Sequence, residues 1–256
     1  MAAGAYRIEL DQPRSLGGIL AATVRLYRRY PLLFAVLALG VIAPYDLGVL
    51  AIAGYGPLAH GNHGSLGISL LFLLLTVSLV TPLVSALHVH AVVAIGEGGR
   101  PRLGRVALRG VQVLPVVAAA EIMAAGGITV GFVALIVPGI LLMLRWAVVA
   151  QAAALEHDGW YAALSSSGRL TDGRYWHVAG LLVVTAALNY GARVGARAIP
   201  MGSTSGVASV TAGIALDTVL ASFSALTLAI LYFDLRARPE TPRRSRREYQ
   251  HLRDLD

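Results

Sequence analysis

The chain has 256 residues, of which 56% are hydrophobic and only 14% charged. That is too little charge to cover a soluble domain of this length, so lipid is its natural solvent. Its net charge of +7 rests on 21 basic residues, all arginine, with no aromatic-interleaved basic patch of the kind that binds nucleic acid; the absence of cysteine excludes disulfides, thiolate metal sites and cysteine nucleophiles.

About thirty polar and amphipathic residues precede the first long apolar run, so no cleavable signal peptide is expected. Within them Leu16, Ile19, Leu20, Thr23, Tyr27 and Tyr30 share one helical face, with Arg25, Arg28 and Arg29 opposite and Ser15 as N-cap. This spacing predicts a helix lying in the membrane interface. A bilayer crossing needs roughly 20 mainly apolar residues. Pro31 to Ala53, broken only by Asp46, qualifies, as does Leu66 to Ile95.

A second amphipathic stretch follows, with Leu103, Val106, Ala107, Gly110, Val111 and Leu114 on one face and Arg102, Arg105, Arg109 and Gln112 on the other. The apolar run from Val111 to Leu155 is about twice a span. Pro138-Gly139 is read as a tight hairpin turn that divides it into two, since proline suits a first helical turn. Trp160, Tyr161, Leu164 and Gly168, with Arg169 and Asp172 opposite, form a weaker third amphipathic copy. Two further spans are Val178 to Ile199 and Val207 to Phe233.

The expected fold is therefore all-α, an integral membrane bundle of six transmembrane helices arranged as three amphipathic-helix-plus-hairpin units. Residues 1–30 form a cytoplasmic N-terminal segment, 31–235 the membrane domain and 236–256 a basic cytoplasmic tail. Cytoplasmic loops carry the excess arginine. With six spans, 18 arginines fall on the side of the termini and none in the outer loops, Gly54 to Ser65 and Met201 to Gly206. Five spans would expel the arginine-rich tail.

Six ionisable side chains lie inside the expected spans: Asp46, Glu121, Arg145, Arg193, Arg197 and Asp217. Each costs at least ~2.5 kcal/mol at the bilayer centre and belongs inside the bundle, paired. Counting residues puts Asp46, Arg145 and Arg193 in the outer half, Arg197 near the outer interface, and Glu121 and Asp217 near the middle. Two readings follow: a polar pocket or pathway using Glu121 and Asp217, with Arg145 or Arg193 holding an anionic group such as a lipid phosphate, or interhelical ion pairs that fix the bundle. The candidate cluster is Asp46, Glu121, Arg145, Arg193 and Asp217.

Gly127 with Gly131, and Gly191 with Gly195, are small-xxx-small pairs that let helices approach, within this chain or in a homodimer. The expected partners are membrane lipids, with a second copy or an envelope protein beside them. The basic tail from Arg243 to Arg247 suits either anionic lipid or a simple orientation signal. No HExxH, Walker loop or GxSxG occurs, since Gly202 to Gly206 has Thr204 where serine is required. His60 and His63 make a weak metal site, and His88 and His90, two apart on different sides of a helix near the inner interface, are weak evidence for catalysis, so neither enzyme, metal nor cofactor is expected.

The run Pro138-Gly139, Arg145, Glu156, Ala163-Leu164, Ser167, Leu170-Thr171, Gly173 and Trp176 resembles the membrane domain associated with glycerophosphoryl diester phosphodiesterases. The ending Leu231-Tyr232-Phe233-Asp234-Leu235-Arg236, with Arg238 and Glu240, is similar to that family's exit from its last span. One departure is Gly168, where the family pattern commonly has an aromatic. The resemblance implies a six-helix bacterial membrane protein of an envelope-associated family. It carries no catalysis here, because the phosphodiesterase barrel needs roughly 250 residues of its own. The expected function is a non-enzymatic scaffold or lipid-interacting module of the bacterial plasma membrane, or a small transporter or lipid-handling permease using the buried charges.

Overall fold

The structure, a computed structural model, describes residues 12–54, 56–58, 65–99, 101–156, 158–198 and 206–239. Among them every regular element is helical. Helix α1 (Leu16–Arg29) starts on Ser15, whose hydroxyl accepts from the Gly18 N–H at 3.1 Å, and ends with Arg28 and Arg29 at its negative pole. Tyr30 ends that helix and Pro31 opens α2 (Pro31–Ala53), where a missing N–H costs nothing. Gly54 closes α2 at φ 74°, a left-handed position that suits glycine.

Helix α3 (Leu66–Leu75) passes through a π turn at Thr76–Val80 into α4 (Thr81–Gly96). Pro82 has no N–H to offer the preceding turn, and the widened turn sits immediately before it. From Val84 to Val92 every α4 residue is buried, which makes α4 a central strut. His88 and His90 are both inside it. His88 Nδ1–H donates to the Val84 carbonyl at 2.8 Å while its ring stacks on Phe34 at 5.5 Å.

Two expectations change in the next stretch. Helix α5 (Leu103–Ala134) runs unbroken for 32 residues, so the amphipathic stretch 103–114 is its first part and not a separate helix. Pro115 interrupts one hydrogen bond without ending it. The turn falls on extended Leu135, and Pro138 sits in the first turn of α6 (Ile136–Arg145), where its ring is tolerated. Gly139 serves packing: a Cβ on Gly131 would meet its Cα at 3.0 Å, and the Phe132 ring covers Gly139 itself. A Cβ on Gly127 would likewise lie 2.6 Å from the Trp146 ring. The other pair, Gly191 and Gly195, has nothing within 4 Å of such a Cβ.

After a turn come α7 (Val149–Glu156), α8 (Gly159–Thr171), α9 (Tyr175–Arg197) and α10 (Val207–Ala237). Helix α10 touches α1, α2, α4, α7, α8 and α9, and every residue from Ala225 to Leu235 except Leu228 is buried. Helix α9 is peripheral, burying only Val178, Leu181 and Thr185. Among the described residues six segments of 21 to 32 residues are long and apolar enough to cross a membrane: α2, α3 with α4, α5, α6 with α7, α9, and α10.

Candidate functional site

Helices α2, α9 and α10, the π turn and the start of α4 line an open cavity of about 340 Å³. Its polar lining includes Tyr45, Asp46, Thr76, Asn189, Arg193, Asp217 and Ser224. Helical spacing explains the gathering. Asn189 and Arg193 are four apart on α9, and Asp217 and Ser224 seven apart on α10, so each pair shares a face. The π turn brings the Thr76 hydroxyl to the wall, where it lies 2.8 Å from the Tyr45 hydroxyl and donates to the Phe72 carbonyl.

Arg193 Nη1 lies 2.7 Å from Asp217 Oδ1, tying α9 to α10. Asn189 Nδ2 reinforces the tie by donating to Ser224 Oγ at 2.9 Å. Asp46 makes no ion pair of its own among the described residues, although the Arg193 guanidinium shares its cavity and acts on it. It is 6% exposed, and its Oδ2 has no hydrogen-bond partner there either. With both carboxylates ionised, two of them against one guanidinium give the lining one formal negative charge, which Arg197 at the end of α9 offsets in part. An unpaired buried carboxylate is costly, and a cationic ligand relieves it.

Three of the five sequence-predicted residues thus come together: Asp46, Arg193 and Asp217. Glu121 and Arg145 do not join them. Glu121 is half-buried on α5 with no ion pair among the described residues. Arg145 lies against α8, where its carbonyl accepts from the hydroxyls of Ser167 at 3.0 Å and Thr171 at 3.1 Å. A Cβ on Gly168 would lie 2.9 Å from Arg145 Nε, so the glycine makes room for the guanidinium. Of the further ionisable residues, Arg197 is exposed at the end of α9.

A second polar knot, unforeseen as such, lies at the other end of the bundle. Asp234 is fully buried and accepts from the Arg14 N–H, from Arg238 Nε at 3.0 Å and Nη2 at 3.1 Å, and pairs with His177 Nε2 at 3.1 Å. Arg174 donates to the Pro239 carbonyl nearby. Glu156 Oε1 accepts from Ser166 at 2.8 Å and Tyr232 at 2.9 Å. These contacts fasten the starts of α1 and α9 and the end of α7 to α10. The i, i+4 spacing of Asp234 and Arg238 was the available signal.

Among the described residues no three His, Cys, Asp or Glu side chains converge to hold a metal ion. The loop histidines His60 and His63, residues 201–205 and the tail arginines from Arg243 to Arg247 lie outside the described residues. Scanning protein-family models, curated proteins and solved structures finds no match to this sequence.

Proposed function

We propose that this chain is a non-enzymatic multi-pass protein of a bacterial plasma membrane, with both termini cytoplasmic, and that its cavity binds a small singly charged organic cation, as a small transporter does. The observation that carries this reading is Asp46, a buried carboxylate without a hydrogen bond on Oδ2, facing a polar cavity whose one arginine is already paired. A cavity of about 340 Å³ is at the small end of ligand sites, which suits an amine of few heavy atoms. The π turn in the wall supports the reading, since such turns are frequent at functional sites. The arginine distribution supports the orientation. The three-unit organisation is supported by α1 before α2 and α8 before α9, with the first part of α5 as the fused middle copy.

The test is transport and binding in liposomes loaded with methylammonium, ethanolamine or choline. Counterflow of one of them, abolished by Asp46→Asn and retained by Gly191→Ala, is the expected result. Equal uptake by wild type and Asp46→Asn would refute the reading. A second reading, a scaffold or lipid-interacting module, is favoured by a separate observation: Arg25, Arg28 and Arg29 on α1 and Arg102, Arg105 and Arg109 at the start of α5 are all exposed.

A further inference from the structure

A groove of about 800 Å³ beside α1 is larger than the polar cavity. Its walls are Leu20, Ala21 and Val24 of α1, Leu188 of α9 and Phe223 of α10, and its rim carries Arg25, Arg28 and Arg29. The groove exists because α9 packs thinly. Leu16 of α1 meets α9 at Gly180, where a Cβ would lie 2.9 Å from Leu16 Cδ1, whereas Leu188, further along, is 51% exposed.

We propose that this groove holds one anionic phospholipid, with an acyl chain against Leu20, Val24, Leu188 and Phe223 and the phosphate between the guanidinium groups of Arg28 and Arg29. Charge and position argue for this occupant together. Three arginines in five residues sit on an otherwise apolar groove, which matches an amphiphile with an anionic head. They also lie immediately before Pro31, where the first apolar segment begins. The inference rests on the lipid-interacting reading and is independent of the cation site.

The experiment is native mass spectrometry of the full chain released from nanodiscs of equimolar phosphatidylcholine and phosphatidylglycerol, with thermal unfolding measured in parallel. Wild type is expected to retain one phosphatidylglycerol in preference to phosphatidylcholine. Arg28→Gln with Arg29→Gln should weaken that retention roughly thirtyfold, at about fivefold per arginine near the surface. Ala21→Trp, which fills the groove and keeps every arginine, should abolish retention with unchanged unfolding temperature. Preference lost with the arginine pair but intact in Ala21→Trp would overturn the groove while leaving surface attraction to anionic lipid. No preference in wild type, or none lost in the arginine pair, would overturn the lipid-interacting reading as well.

Discussion

Replacing Arg193 by methionine removes the only cation lining the cavity among the described residues and leaves Asp46 and Asp217 facing each other, two negative charges where there was one. Replacing Asp217 by asparagine has the opposite sign: Arg193 is freed to face Asp46, and the cavity becomes neutral. Removing one partner of a buried pair costs about 3–5 kcal/mol. Arg193 is 40% exposed and Asp217 12%, so solvent takes up part of that. Polar contacts between helices in membranes reach only ~1.7 kcal/mol at most. Arg193→Met should therefore cost about 1–2 kcal/mol, a fall in unfolding temperature of roughly 3–6 °C for a chain of this size. Asp217→Asn should cost under about 1 kcal/mol, and adding Asp46→Asn to Arg193→Met should recover most of the loss. Thermal unfolding followed by the fluorescence of the three tryptophans reads all of these variants in one detergent. If Asp217→Asn proves as damaging as Arg193→Met, Asp46 does not share their field, and the charge argument fails.

Asp234→Ala strips the partner from Arg238 and His177 and from the Arg14 N–H, so it should cost about 3 kcal/mol or more and lower the amount of protein in membranes, measured by quantitative blotting. Gly127→Val pushes a side chain into the Trp146 ring and should cost about 1–3 kcal/mol, whereas Gly191→Ala, with open space around it, should leave the unfolding temperature unchanged. Gly168→Phe collides with the Arg145 guanidinium and should destabilise by a similar amount in the same assay.

The ends of α2, of α3 with α4 and of α10 were close to legible because apolar length alone marks them. The hairpin before α6 was not. Pro138-Gly139 carries the residues of a turn, yet the proline is placed in a first helical turn and the glycine in a close helix contact, while Leu135, with no turn signature, makes the reversal. Interhelical ion pairing was one of two readings the buried charges left open, and Arg193 with Asp217 is such a pair. Sign balance did not say which charges would meet, because tilt and breaks such as residues 146–148 decouple depth from residue count. Glu121 and Arg145 were grouped with the pair on that count and lie elsewhere. The i, i+4 and i, i+7 spacings that carry Asn189 and Ser224 to the cavity were present in the sequence, but polar uncharged residues give too weak a signal alone.

Ser166 shows the same gap at a practical level. It follows a polar loop in sequence, yet it is buried and donates to Glu156, so a cysteine there would resist labelling on either side of a membrane. Its neighbour Ser165 is exposed, so a cysteine there is open to labelling. The chain has no cysteine, so single cysteines at Asn62, Ser203, Ser165 and Ser245 can be tested one at a time with an impermeant thiol reagent on intact cells. Six crossings with both ends inside require labelling at 62 and 203 and protection at 165 and 245 until the membrane is opened. Labelling at 245 in intact cells, or protection at 62 and 203, would contradict the account.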